Sequence, residues 1–215
     1  IMKSLMNAVL VVFILTSPAL AQNYAYFHPT DDAYVDSGFQ GANYGNLTDL
    51  YAGDRAAAGG GTCMFFLQFD ISDFAASNEI LNAELWLYKH EKYGSPTQQC
   101  TVSVHHVLSH GWTENSITFN APPAYATAAT SSNTGTFNPS GFEYWNVTPD
   151  VVVDRPGGLT GWGVKMNPVV PWMWLNFYSS EQVPLPDFRP TLEIMYTGPV
   201  ANEATTIDQV KALFR

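Results

Sequence analysis

Positive charge is the scarcest resource in this chain. Nine Lys and Arg stand against nineteen Asp and Glu, giving a formal net charge of −10 over 215 residues. Such a chain repels nucleic acid and anionic membrane surfaces, which excludes both as partners. The same charge argues against a strongly anionic glycan as ligand. Long apolar runs are equally scarce. The one candidate, Leu5 to Leu15, is too short for a comfortable membrane span. It follows Lys3 and precedes Ala19-Leu20-Ala21, the pattern of a cleaved export leader, so residues 1–21 are read as a signal peptide and Gln22 as the start of a secreted chain. No other run is long enough to cross a bilayer. Recognisable catalytic punctuation is missing too: there is no Gly-x-Ser-x-Gly elbow and no EF-hand spacing.

Cysteine occurs twice, as Cys63 and Cys100. In an exported chain two cysteines suggest a bridge. Cys63 shares strand parity with Phe65, Leu67 and Phe69, and Cys100 shares it with Val102 and Val104, so both thiols are expected to point inward. The sequence therefore predicts a Cys63–Cys100 disulfide, worth roughly 2–4 kcal/mol through restriction of the unfolded chain.

What the chain does have is a period of 2. Apolar and polar residues alternate over 82–89, 99–107 and 190–196. Breakers fall between the runs, at Gly59-Gly60-Gly61, Gly94-Ser95-Pro96, Pro122-Pro123, Pro139-Ser140-Gly141 and Pro156-Gly157-Gly158. Many short strands with this punctuation predict an all-β, jelly-roll-like antiparallel β-sandwich over 22–197. One short helix is expected, capped by Thr148, with Pro149 at its first position and Pro156-Gly157 as its stop. The Ala, Ser and Thr of 126–138 read as a long surface loop. Beyond Gly198-Pro199, Thr206 and Gln209 form a capping-box pair before an apolar face of Ile207, Val210, Leu213 and Phe214. Residues 198–215 thus read as a linker and a short amphipathic tail, either docked on the sandwich or used for assembly.

Six blocks then fall in one order. They are Thr30 to Gly38 with Asn43-Tyr44-Gly45; Phe66 to Ser72; Ala83 to Tyr88; Gly111-Trp112-Thr113-Glu114-Asn115 through Thr118-Phe119-Asn120 to Ala121-Pro122; Trp145 to Thr148; and Phe177 to Glu181 with Arg189 to Ile194. In this order they resemble the DNRLRE domain, a disaggregatase-related family overlapping the family 96 carbohydrate-binding modules. The resemblance runs from about Thr30 to Tyr196 and independently implies the same sandwich. It also implies a role beside polysaccharides, alginate binding among the activities it suggests. One departure stands out: Ser180 occupies a place where that family carries Arg.

Sugars present flat C–H faces to exposed rings, so aromatic residues lead the search for a site. Strand alternation over 172–178 puts Trp172, Trp174, Asn176 and Tyr178 on one face, opposite the inward Phe177. Trp86 and Tyr88 form a second outward stripe. These six are the expected ligand-binding residues; the alternative is that the rings pack beneath a loop or the tail. Trp112 and Trp145 read as structural. Asp31, Asp32 and Asp36 are the candidate ligands of a structural Ca²⁺, which takes six to eight oxygens. His105 and His106 are adjacent and so face opposite ways, which speaks against a zinc centre built on that pair. Glu114 and Glu181 are the only motif glutamates to suggest a glycosidase pair, and no catalytic constellation gathers around them.

The function read from the sequence is a secreted, non-catalytic carbohydrate-binding module that recognises an extracellular polysaccharide. The alternative is a structural or adhesive matrix or surface protein that self-assembles through its tail. A polysaccharide-degrading enzyme ranks third.

Overall fold

The computed structural model describes residues 22–182 and 184–198. The expected leader (1–21) lies outside them, as does the expected amphipathic tail beyond Gly198. Eleven strands and one short helix follow in order: β1 (Gln22–Phe27), β2 (Asp31–Asp36), β3 (Asp49–Asp54), β4 (Thr62–Asp70), β5 (Glu79–Tyr93), β6 (Cys100–His106), β7 (Ser131–Gly135), β8 (Gly141–Asn146), α1 (Thr148–Asp154), β9 (Leu159–Met166), β10 (Trp174–Tyr178) and β11 (Thr191–Thr197). The pairings are antiparallel. They form one curled sheet that folds on itself as a sandwich, as alternation with frequent breakers predicts. No helix among the described residues is long and apolar enough to cross a membrane.

Two long strands organise the layers. β5 takes β11 along Glu79–Trp86 and β10 along Lys89–Tyr93, and pairs with β8 along its opposite edge. β4 lies between β2 and β9, and β6 and β7 continue that layer. Leu85, Leu87, Trp145, Leu175, Phe177, Leu192 and Ile194 of the first layer meet Phe65, Leu67, Phe69, Val102, Trp162 and Val164 of the second in a single buried core. Trp145 crosses the gap, its Nε1 donating to the Val102 carbonyl at 3.1 Å. At the sheet's free end, Gln22 of β1 pairs with Thr197 of β11.

The two outer faces are unlike. Over β2 and β4, Ala33, Val35 and Phe66 are roofed by Val107 and Ile117, with Trp112, Phe119 and Tyr125 packed against them. Trp112 therefore lies on the sheet face, edge-on to Phe66 at 6.4 Å. The roof is clasped by the Asn43-Tyr44-Gly45 block. Asn43 Nδ2 donates to the carbonyls of Glu114 (2.6 Å) and Ile117 (2.7 Å). Gly45 lies so close that an added Cβ would stand 2.4 Å from the Glu114 oxygen. Gly45→Ala is expected to cost about 1–3 kcal/mol, because backbone rather than a flexible side chain must yield; a chemical unfolding curve matching wild type would refute the clasp.

Several local expectations are corrected. Cys63 and Cys100 are both free, buried thiols. β9 lies between β4 and β6, so two strand spacings, about 10 Å, separate the cysteines laterally. Cys100 also lies two residues before the position of β6 level with Cys63, which puts them beyond the roughly 7 Å reach of a disulfide. Parity gave the shared inward face but not the strand order. Thr148 does not cap α1: its hydroxyl accepts from Ala83 N and donates to Asn82 Oδ1, tying the helix to β5, while Val147 holds the cap position. The loop expected over 126–138 contains β7, an edge strand whose Thr134 hydroxyl pairs with that of Thr101 at 2.8 Å. Polar residues on both of its faces hid it from a hydrophobic pattern.

Candidate functional site

The face of β8, β5, β10 and β3, which no described segment roofs as β2 and β4 are roofed, gathers most of the predicted ligand residues, though not as a flat platform. Tyr88, Tyr178 and His90 stand on edge and stack on one another. Tyr88 and Tyr178 are 5.7 Å apart at 6°, and Tyr178 and His90 are 4.3 Å apart at 7°. Phe188 packs on Tyr88 at 4.2 Å and lies 6.2 Å from Tyr178. Both faces of Tyr178 are occupied by neighbours, so it offers an edge rather than a stacking surface. Trp174 is 8% exposed because Tyr93 covers it at 3.9 Å, nearly parallel. Trp86 carries Tyr144 in the same way at 4.8 Å. The expected stripe is thus a foundation, and the rings that meet solvent are Tyr93 (47% exposed), Tyr144 (52%) and Phe142. Cross-strand register places these residues opposite the predicted ones; a sequence without register does not show it.

Trp172 is separate. It precedes β10 instead of belonging to it, is 68% exposed, and adopts a left-handed backbone at φ 56°. That region is costly for a bulky residue, by roughly 1–3 kcal/mol. Asp54 holds it there: Oδ2 accepts from Trp172 N at 2.9 Å, and Asp54 N donates to the Met173 carbonyl at 2.7 Å. A strained backbone that projects an indole into water, two residues from the Tyr93–Trp174 stack, is a feature that packing does not require.

Between the two aromatic ends lies a polar strip. His90 Nε2 meets Asp49 Oδ1 at 2.8 Å, and the Tyr51 hydroxyl donates to Asp49 Oδ2 at 3.5 Å. Asn176 is 4% exposed and donates from Nδ2 to Glu91 Oε2 at 3.3 Å. Its Oδ1 has no partner among the described residues, nor does Trp86 Nε1. Beside Trp86 a shallow depression of about 290 Å³ is lined by Phe142, Asp187, Thr191 and Glu193. From Trp86 to Tyr93 the face runs about 20 Å along β5 at 3.3 Å per residue. It joins exposed rings and carboxylates, a mixture suited to a hydroxyl-rich ligand with apolar faces. A larger cavity of about 550 Å³ near Arg155 is lined mainly by Phe74, Ala75, Ala76, Val152 and Pro156. It lacks such chemistry.

The predicted acidic ligands do not converge as a trio. Asp36, at the far end of β2, accepts from Gly38 N and Gly61 N and faces Arg55 at 3.9 Å. Asp31 accepts from Gln68 Nε2 and Glu114 N. Asp32 is fully buried. Its Oδ2 accepts from Ser180 N at 2.8 Å, and its Oδ1 has no partner among the described residues. Glu181 accepts from the Ser180 hydroxyl through Oε1, and its buried Oε2 has no partner among the described residues. Burial first, and the nearby Glu181 second, push the Asp32 carboxyl well above the usual range. Glu114 is raised for the same two reasons in the same order. Among the described residues, three carboxyls thus meet without a cationic side chain, at a point that brings residues 32, 114 and 181 together. The two glutamates that suggested a glycosidase pair form part of this knot near the start of β2.

No curated protein matches the chain. Residues 23–160 match carbohydrate-binding module family 96; the matched interval ends in β9, while β10 and β11 complete the sheet around β5.

Proposed function

The chain belongs to carbohydrate-binding module family 96, and from that premise we propose that it is a secreted, non-catalytic module that holds an extracellular polysaccharide across the β8–β5–β10–β3 face. The observation that carries the placement is Trp172, kept in a strained conformation and out of the core. Trp172 and Tyr93 supply stacking surfaces at one end, and Tyr144 with Phe142 supplies them at the other. Between them Asp49 and Glu91 accept hydrogen bonds from sugar hydroxyls. Acceptor-rich carboxylates on an acidic chain favour a neutral or weakly acidic glycan and oppose a polyanion.

The closer resemblance to the DNRLRE domain belongs to the same proposal. There Ser180 replaces an arginine, and the Asp32–Glu114–Glu181 knot lacks the counter-charge that residue would bring. A structural Ca²⁺ would restore it, with Asp32 Oδ1 and Glu181 Oε2 as its unused oxygens.

The test is a glycan-array and pull-down screen of residues 22–215, in calcium and in chelator. Binding to a neutral or weakly acidic polysaccharide is expected. Trp172→Ala and Tyr93→Ala should each weaken it about three- to tenfold, since a stacked ring contributes about 0.5–1.5 kcal/mol beyond its area. Two variants that bind like wild type would move the site off this face. A folded protein that binds nothing in either condition would favour the assembly reading, which a size-exclusion shift on removal of 198–215 would then support.

A further inference from the structure

Two adjacent histidines, His105 and His106, have different fates. His105 is spent in the fold: its ring nitrogens meet Ser103 Oγ at 2.9 Å and the Ala126 carbonyl at 3.0 Å. His106, pointing the other way from the end of β6, meets His110 from the roof segment and Asp154 from the last position of α1. His106 Nε2 lies 2.8 Å from Asp154 Oδ2, and His110 Nε2 lies 3.4 Å from the same oxygen. One donor atom from each of the three residues falls within 4.8 Å of the others. From these contacts we infer a divalent transition-metal site, best matched to Zn²⁺, that clips the roof to the helix.

Three features support it. Tetrahedral zinc with bonds of about 2.0–2.1 Å sets neighbouring ligand atoms about 3.3 Å apart, and the 2.8 and 3.4 Å separations bracket that edge. The second shell is built. His106 Nδ1 faces Asp150 Oδ1 at 3.7 Å, and Asp150 is fixed through Oδ2 by Thr130 Oγ1 at 2.6 Å and Trp162 Nε1 at 2.8 Å. A carboxylate behind a ligating imidazole is the usual means of orienting it. Finally, the other ring nitrogen of His110, Nδ1, is buried without a hydrogen-bond partner among the described residues, so the fold does not use this imidazole elsewhere. The neighbouring cation Arg155 is turned away onto the carbonyls of Ala76 and Asn78. Two imidazoles and one carboxylate suit Zn²⁺, Co²⁺ or Ni²⁺ over the oxygen-seeking Ca²⁺ and Mg²⁺. A water would complete the tetrahedron. The site sits off the β5–β10 face and does not depend on the sugar-binding assignment.

The experiment uses tag-free residues 22–215, stripped with chelator and titrated with ZnCl₂ by calorimetry. Thermal melts and histidine ring-proton NMR follow the same samples. One saturable zinc equivalent is expected, with a higher melting temperature and joint shifts of the His106 and His110 resonances. Millimolar Ca²⁺ or Mg²⁺ should not shift the His106 and His110 resonances. His110→Gln and Asp154→Asn should each weaken zinc binding about tenfold or more. No saturable binding by wild type would overturn the inference. So would saturation without His106 and His110 shifts, or undiminished affinity in both variants. The NMR readout stands even if a variant fails to fold.

Discussion

Trp145→Ala is expected to lower the free energy of unfolding by about 3–5 kcal/mol, the range for deleting a large aromatic side chain from a packed core. Trp145 is 1% exposed and among the largest fully buried side chains. Its ring packs edge-on to Phe177 at 6.5 Å, and its indole N–H reaches Val102 in the opposing layer. Truncation opens a cavity between the layers and leaves that carbonyl to find another donor. The check is a urea titration: the midpoint should fall while the slope stays constant. A loss below about 1 kcal/mol would mean that the layers do not depend on this contact.

The second large effect concerns pH. Asp32 has a folded-state pKa above its unfolded value, because burial and Glu181 oppose its ionisation. For an acid raised in this way, its contribution is most favourable below the unfolded pKa and is lost as pH rises through the folded one. Glu114 acts in the same direction. In chelator, wild-type stability should therefore fall as pH is raised from about 4 through neutrality. Asp32→Asn keeps an oxygen for the Ser180 amide and removes the buried charge, so its melting temperature should exceed wild type at pH 8 and converge with it near pH 4. Ser180→Arg should flatten the slope by placing a guanidinium beside Asp32 and Glu181. Added calcium would do the same to wild type if those oxygens hold it. A wild-type melting temperature independent of pH in chelator, or equal melting of Asp32→Asn and wild type at pH 8, would refute this account.

Much of the architecture was legible because its signal is local. Alternation placed Leu85 and Leu87 of β5, Leu192 and Ile194 of β11, and Phe65, Leu67 and Phe69 of β4 on inward faces, where the core holds them. Proline and glycine marked the helix and its stop. What escaped was non-local. Parity showed that Cys63 and Cys100 face inward, but only strand order shows β9 between them. The stripe of Trp86, Trp174 and Tyr178 was read as the surface itself, because nothing in one strand says that Tyr144 or Tyr93 from the next will lie over it. Asp32, Glu114 and Glu181 are scattered along the chain and meet only when the roof folds down. His106 and His110 are four residues apart, a visible pattern, yet Asp154 comes from a helix whose docking the sequence did not place.

The pairing of Gln22 with Thr197 has a mechanical consequence. The first and last strands leave the sheet side by side, about 5 Å apart, so a tether at either end hangs from one corner. A load on a bound polymer, resisted through one such end, would run through the sandwich body. A load applied between the two ends would open the β1–β11 ladder like a zipper, one pair at a time. Interstrand bonds that break singly resist far less force than bonds sheared together. The domain is therefore built to be held from one corner, and pulling its ends apart is the direction in which it yields first.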